Sequence, residues 1–199
     1  DAVGEILAIG DRAQLTGAIA GLHTAIANPF FSVGVQADLM NSDINALYIS
    51  QSGLTMGDRD YYLDPENENI RTAYKEYLGK LFRLAGIPEA DIEKAVAGVM
   101  NIETKLAEKS WSNTELRDIP AQYNPTAKAE FEKTYDAIDW PAYYKAMGIG
   151  DFDTIIVTTK SSIANANDLM KNAPLEDIRY YLAAQYLDDA ASYLSDDFQ

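Results

Sequence analysis

The sequence of 199 residues contains no cysteine and one histidine, His23. The first absence removes thiol catalysis, disulfides and thiolate metal sites together. It does not set the compartment, since exported bacterial proteins can lack cysteine as well. The second removes any metal site built on two histidines one helical turn apart. Basic residues are scarce too: 16 Lys and Arg stand against 31 Asp and Glu, a formal charge of −15. Phosphate binding needs a basic face, so nucleic acid is not expected as a partner. The acids are spread along the chain, as on a solvated surface. No run approaches the roughly 18 apolar residues of a membrane span, so no membrane contact is expected of this chain. The start at Asp1 has neither a methionine nor the basic region of a signal peptide, and reads as a piece of something longer.

Phosphate-loop, dinucleotide-turn and Gly-x-Ser-x-Gly patterns are also missing. Carboxylates close in sequence, such as Asp58 and Asp60 or Asp188 and Asp189, are expected by chance among 31 acids. Asp151-Phe152-Asp153 lacks the glycine and the terminal glutamate of a calcium loop. Nothing in the chain by itself forms a catalytic constellation.

What is present is the composition of an ordinary globule, 47% hydrophobic and 24% charged. Residues 1–199 are expected to form a single lobe with a core of its own. Leu15, Ile19, Leu22 and Ile26 predict a helix over residues 12–27, capped by Asp11 and ended by Asn28-Pro29. His23 lies at the edge of that stripe, where a packed or solvated ring is the expectation. Phe31, Val33, Val35, Ala37 and Leu39 alternate with Ser32, Gly34, Gln36 and Asp38, the period of a half-buried strand. Residues 44–51 return as a second strand after the turn Asn41-Ser42-Asp43. An antiparallel hairpin is expected, with Val35 facing the core.

A helix beginning at Pro65 carries the apolar face Ile70, Ala73, Tyr74, Tyr77, Leu78, Leu81, Phe82 and Ala85, and ends at Gly86. Pro88 opens a second, to about Lys109, with Ile92, Ala95, Val96, Val99, Ile102 and Leu106 in its stripe. The short link makes the two antiparallel neighbours. Residues 110–125 read as a loop. A short helix to Thr134 follows, capped by Thr126 or by Asn124 with Pro125 at its first position. Another starts at Asp139-Trp140-Pro141 and stops at Gly148. Residues 154–159 are β-prone, residues 162–171 helical. A last helix from Pro174 to about Leu194 shows Leu175, Ile178, Leu182, Tyr186, Ala190 and Tyr193. The fold class is mainly α: a multi-helix lobe with one small antiparallel hairpin.

Two stretches carry more specific information. Gln51, Gly53, Leu54, Arg59, Asp60, Tyr61, Tyr62 and Leu63 fall in one run. Read locally, Arg59 between Asp58 and Asp60 is an ion pair or a helix entry, and the tyrosines are packing rings. As a pattern the run resembles the Gln-x-Gly-Leu-x-Leu-Pro-x-Arg-Asp-Tyr-Tyr-Leu signature of the neprilysin and endothelin-converting-enzyme family of zinc metallopeptidases. Met56 and Gly57 replace its Leu and Pro. The second stretch, Ile102-Glu103-Thr104-Lys105-Leu106-Ala107 with Arg117-Asp118 and Tyr123-Asn124, is similar to a helix end and long loop of the same family. One arginine of an Arg-Arg pair is Leu116 here.

The resemblance implies two largely helical lobes around a closed cavity, one bearing the zinc site and the other acting as a lid. This chain would be the amino-terminal lid lobe of such an oligopeptidase. Its partners would be the catalytic lobe of the same polypeptide and oligopeptide substrates. Zinc would belong to the parent enzyme and not to this chain, and the parent would work outside the cytoplasm. None of the family's zinc ligands or catalytic acids maps here. Gln51, Gly53, Leu54, Arg59, Asp60, Tyr61, Tyr62, Arg117, Asp118, Tyr123 and Asn124 are carried as structural signature residues, with Arg117 and Asp118 tying their loop to neighbouring helices. The alternative is a freestanding helical module that stacks sugars or peptides on its tyrosines.

Overall fold

The computed structural model describes residues 1–25 and 27–191, and within them the protein is mainly α with a small mixed sheet. The alternating segment forms strand β1, Phe31–Ala37, and its return forms β2, Asn45–Gln51. They pair antiparallel from Phe31 opposite Gln51 to Ala37 opposite Asn45. Asp38 to Ile44 closes the turn, with the Asp38 carboxylate accepting from the amides of Met40 and Asn41. The hairpin is part of a larger sheet in the order β1-β2-β4-β3. Strand β4, Thr154–Val157, is the expected β-prone run and lies parallel to β2. Strand β3, Pro125–Ala127, pairs antiparallel with β4. These three residues were expected to open a helix. The pairing with β4 takes them instead, and the helix starts at Lys128.

Helix α1, Ala2–Leu7, was not anticipated; six residues are too few for a periodic pattern to show. Residues 12–27 resolve into a 3₁₀ turn, Arg12–Gln14, and α2, Leu15–Thr24. Asp11 caps the turn by accepting from the Gln14 amide. The expected stripe residue Ile26 lies outside the described residues. A short α3, Asp60–Leu63, and a 3₁₀ turn begun by Pro65 lead into α4, Glu68–Leu84. Gly86, in the left-handed region at φ +88°, ends it. Helix α5, Glu89–Lys109, packs back on α4 as the short link requires. Ile70, placed in the α4 face by its spacing, is 42% exposed.

Helices α6, Lys128–Thr134, and α7, Trp140–Met147, follow. Asp139 caps α7, and Gly148 ends it at φ +70°. Helix α8 is Lys160–Asn172 and α9 is Leu175–Ala191. The expected extension to Leu194, with Tyr193, lies outside the described residues. Helix α9 runs along α5 with Gly98 at the crossing. A β-carbon there would sit 3.0 Å from Asp177 Oδ1 and 3.3 Å from its Cα, so the helices approach closely only because the side chain is missing.

One contiguous core joins the helices to the sheet, with Tyr143, Tyr181, Phe30, Phe31, Phe82 and Phe131 fully buried. The hairpin enters it only at its root. Phe31 is buried and Val33 half-buried, whereas Val35 is 66% exposed and Leu39 and Ile44 are about half exposed. The expectation that Val35 faces the core fails: it lies on the edge strand and is exposed, although Leu47 opposite it on β2 is buried.

Candidate functional site

The signature residues gather where the loop after β2 crosses the middle of α5, and Glu103 of α5 is the centre of that crossing. Its side chain is completely buried. Oε1 accepts from the Thr55 amide at 2.8 Å and from Tyr62 Oη at 3.1 Å, and Oε2 accepts from Tyr74 Oη. Tyr62 Oη accepts in turn from the Met56 amide at 3.0 Å. Three donors favour the ionised form, but loss of water outweighs them and pushes the carboxyl up to about 7. The phenols of Tyr62 and Tyr74 rise well above the ordinary range, first through burial and then through the facing carboxylate.

Gly53 provides the other contact of this loop with the core. It adopts φ +96°, and a β-carbon would collide with Tyr181 Oη and stand 2.7 Å from the Phe30 amide. Tyr181 Oη donates to the Gly53 carbonyl at 2.8 Å and accepts from Phe30 N–H at 3.1 Å. Phe30 itself is held at φ +67°, a conformation that a bulky residue adopts only when its surroundings enforce it. Gln185 donates to Thr55 Oγ1 at 2.9 Å. Helix α9 therefore grips the loop from one side while α5 grips it from the other.

Gln51 turns its amide onto the backbone of Trp111, accepting from its N–H at 2.8 Å and donating to its carbonyl at 2.9 Å. Leu54 is partly buried against the core. Arg59 does not pair with its flanking aspartates. Its guanidinium donates to the carbonyls of Ser110 at 3.1 Å and Glu108 at 3.5 Å, with Glu115 at 4.0 Å. Carbonyls left over at the end of a helix attract a cation, and that attraction outweighs a weak local ion pair. The helix-entry role falls to Asp58, which accepts from the Asp60 amide at 2.9 Å. Tyr61 is 37% exposed; its carbonyl accepts from Arg71 at 3.0 Å and its amide donates to the Asp58 carbonyl at 3.2 Å.

The second stretch divides. Arg117 and Asp118 are exposed, and Asp118 accepts only locally, from the Ala121 amide at 3.3 Å. Among the described residues they do not tie their loop to the helices as expected. Tyr123 and Asn124 make the ties instead. Tyr123 Oη donates to the Asp38 carboxylate in the hairpin turn at 2.9 Å, and Asn124 donates to the Val157 carbonyl at 2.9 Å. Glu103, Tyr74, Tyr181 and Gln185 were missed as site residues. Glu103 had a readable signal: it lies four residues after Val99 and three before Leu106, an acid on the apolar stripe.

Glu103 itself is closed to a bound molecule, because both its oxygens are occupied and its side chain is buried. His23 is likewise closed. Nε2 lies 3.1 Å from the Pro29 carbonyl, which can only accept, so Nδ1 must accept from Tyr143 Oη at 2.6 Å. Burial lowers its pKa to about 4 and holds it neutral. Among the described residues no three His, Asp or Glu side chains are grouped to hold a metal. No helix among them is long and apolar enough to cross a membrane.

The model for the amino-terminal part of peptidase family M13 matches residues 1–199, and the chain belongs to that family. It is 30% identical over 178 residues to mouse endothelin-converting enzyme 1, a match covering 86% of this chain and 23% of that protein. It is 25% identical to the neutral endopeptidase of Lactobacillus helveticus over 169 residues, 85% of this chain and 26% of that one. The fold superposes on the zinc metalloprotease Zmp1 of Mycobacterium tuberculosis, in its open state, with a TM-score of 0.92 at 23% identity. That match takes in 100% of this chain and 31% of the other. The chain thus spans about a quarter of the length of the curated relatives it matches.

Proposed function

We propose that the chain is the non-catalytic lid lobe of a neprilysin-like zinc metalloendopeptidase that works outside the cytoplasm. It restricts a zinc site elsewhere in the polypeptide to oligopeptides. The carrying observation is the family match along the whole chain, set against the 31% of the zinc metalloprotease fold that it spans. Consistent with this, the single histidine is sealed and Glu103 is walled in. On this reading the chain's work is geometric. Two long helices, α5 and α9, packed through Gly98, and a loop pinned at Glu103 and Gly53, make a stiff wall that can move as a body. By itself the chain cleaves no peptide; a peptide-library assay with and without added zinc checks this, and saturable, metal-dependent cleavage would refute it.

Against the alternative of a tyrosine-lined binding module, Tyr143, Tyr144 and Tyr181 are spent in the core and Tyr62 is bound to Glu103, which leaves Tyr61 beside it exposed. The lid is tested in the full-length parent. Disulfides engineered between the lobes to hold them closed should suppress turnover, and reduction should restore it. A locked enzyme that turns over peptides at the free rate, with the same size limit, would overturn the lid.

A further inference from the structure

The outer half of the hairpin presents an apolar surface that is exposed among the described residues. Strand β1 is the edge of the sheet. Asp38 N–H donates to the Ile44 carbonyl at 2.9 Å, and with the register Ala37 to Asn45 this turns the even-numbered residues of β1 toward β2. The amides of Val33, Val35 and Ala37 and the carbonyls of Val33 and Val35 are therefore directed to the open side. The Ala37 carbonyl is taken by Tyr48 Oη at 3.2 Å.

Exposed edges of globular proteins are usually guarded by charge, proline or a bulge. Phe31–Ala37 reads FSVGVQA, with no charge, no proline and unbroken register. The odd-numbered face beside this edge is apolar. Val33, Val35 and Leu47 look across a groove of about 450 Å³ at Met147, Ile149 and Phe152. Leu39, Met40 and Ile44 extend the apolar surface to the tip, with Met40 77% exposed. The sequence maintains a buried-type alternation over nine residues, and this chain buries its first residue and part of its third.

We infer that this edge and groove are the seat of an extended segment from the catalytic part of the same polypeptide. That segment adds a strand to β1 and sets alternate apolar side chains into the groove. The inference rests on the reading of the chain as one lobe of a longer peptidase. The occupant is chosen because the matched solved fold continues over more than twice the length seen here, so a permanent neighbour exists to cover the face. The strand itself is uncharged, and the apolar side chains beside it suit a lasting interface better than a surface that must stay in water between encounters. The charges here are Asp38 and Asp43 at the tip and Asp151 in the groove lining.

Amide hydrogen exchange at residue resolution in the full-length parent tests this. Ser32, Gly34 and Gln36 donate to β2 in either case and serve as internal controls. A covered edge makes protection continuous from Ser32 to Ala37, with Val33 and Val35 slowed on the order of 100-fold relative to a bare edge. Val35→Asp should return the pattern to alternation while Ile49 and Val157 stay protected, which shows that the sheet remains folded. Alternating protection in the unmodified parent overturns the inference. Protection that grows with protein concentration overturns it in favour of a second copy, and protection that appears only with added peptide overturns it in favour of substrate. The lobe-locking experiment does not report on this edge. A working lock with alternating exchange defeats the docking alone, and continuous protection with an ineffective lock supports the docking while defeating the lid.

Discussion

At the root of the β1–β2 hairpin, Phe31 lies opposite Gln51 and is buried; at the outer end, Val35 lies opposite Leu47 and is 66% exposed. The same apolar alternation runs through both. The root is closed by four helices: α2 through His23 and α7 through Trp140 and Tyr143 against Phe31, α9 through Tyr181 on Gly53, and α5 through Glu103 on Thr55. Among the described residues, the outer end is faced across the groove by residues 147–152 and tied at its turn by Tyr123. Alternation in a strand states which face is apolar. How far the cover extends depends on where other elements end, and that belongs to the tertiary structure.

Gly53→Ala should break the closed end most severely. The added carbon meets Tyr181 Oη and the Phe30 backbone, and it would need φ +96° from a residue with a side chain. The backbone cannot yield without releasing Phe30, itself already in an unfavourable conformation. A loss of about 4 kcal/mol is expected, read as a fall in the urea midpoint, while Gly57→Ala, at φ +90° with open space around it, should cost about 1 kcal/mol. Equal costs at the two glycines would show that conformation, and not contact with α9, sets the requirement.

Glu103→Ala comes next, at about 3 kcal/mol, because the Thr55 amide and the Tyr62 and Tyr74 hydroxyls lose their acceptor in a dry site. The same residue gives the closed end a pH dependence. Burial raises its carboxyl from 4.5 to about 7, so the folded state keeps this proton to higher pH than the unfolded state does. The resulting stability is complete below about pH 4.5 and is lost as the pH rises through 7. The difference in unfolding free energy between the unmodified chain and Glu103→Gln should therefore fall by about 3 kcal/mol from pH 4.5 to above 7. A difference that stays constant would mean that Glu103 is ionised throughout.

Much of this was legible in the sequence. The long helices α4, α5 and α9 and the hairpin were visible because their apolar periods run over many residues. Caps at Asp11, Asp139, Gly86 and Gly148 marked boundaries. Strand β3 was hidden: Pro125-Thr126-Ala127 carries no period of its own and exists only because β4 lies alongside. The signature was recognisable as a pattern, but its physical content was not. Arg59 looked local and in fact reaches the end of α5, about fifty residues on in sequence. Glu103 was quoted within a motif and overlooked as its centre, since an acid on an apolar stripe becomes informative only when its donors, from three other segments, are known.

Arg59→Ala should have a smaller effect. It removes two donors from the α5 terminus, but Ser110 Oγ and water remain to serve that helix end. About 1 kcal/mol is expected, with Arg59→Lys recovering only part because an ammonium does not span two carbonyls as a guanidinium does. Full recovery by lysine would mean that charge near the helix end suffices.

The smallest effect is expected at the open end, where Val35→Asp in the 199-residue chain should cost about 0.5 kcal/mol. That figure covers the poorer strand propensity of aspartate and little else, since the side chain stands in water. Burial would change the magnitude entirely: an unpaired carboxylate in an apolar site costs several kcal/mol or protonates. Ile49→Asp, on the neighbouring strand and 1% exposed, is the matched control for that case and should unfold the chain at room temperature. Urea unfolding of both variants at pH 7 measures the contrast. If Val35→Asp costs more than about 2 kcal/mol in this chain, its face is already covered by the helices here. The distinction between the two ends of the hairpin then fails, and with it the ground for placing another segment on β1.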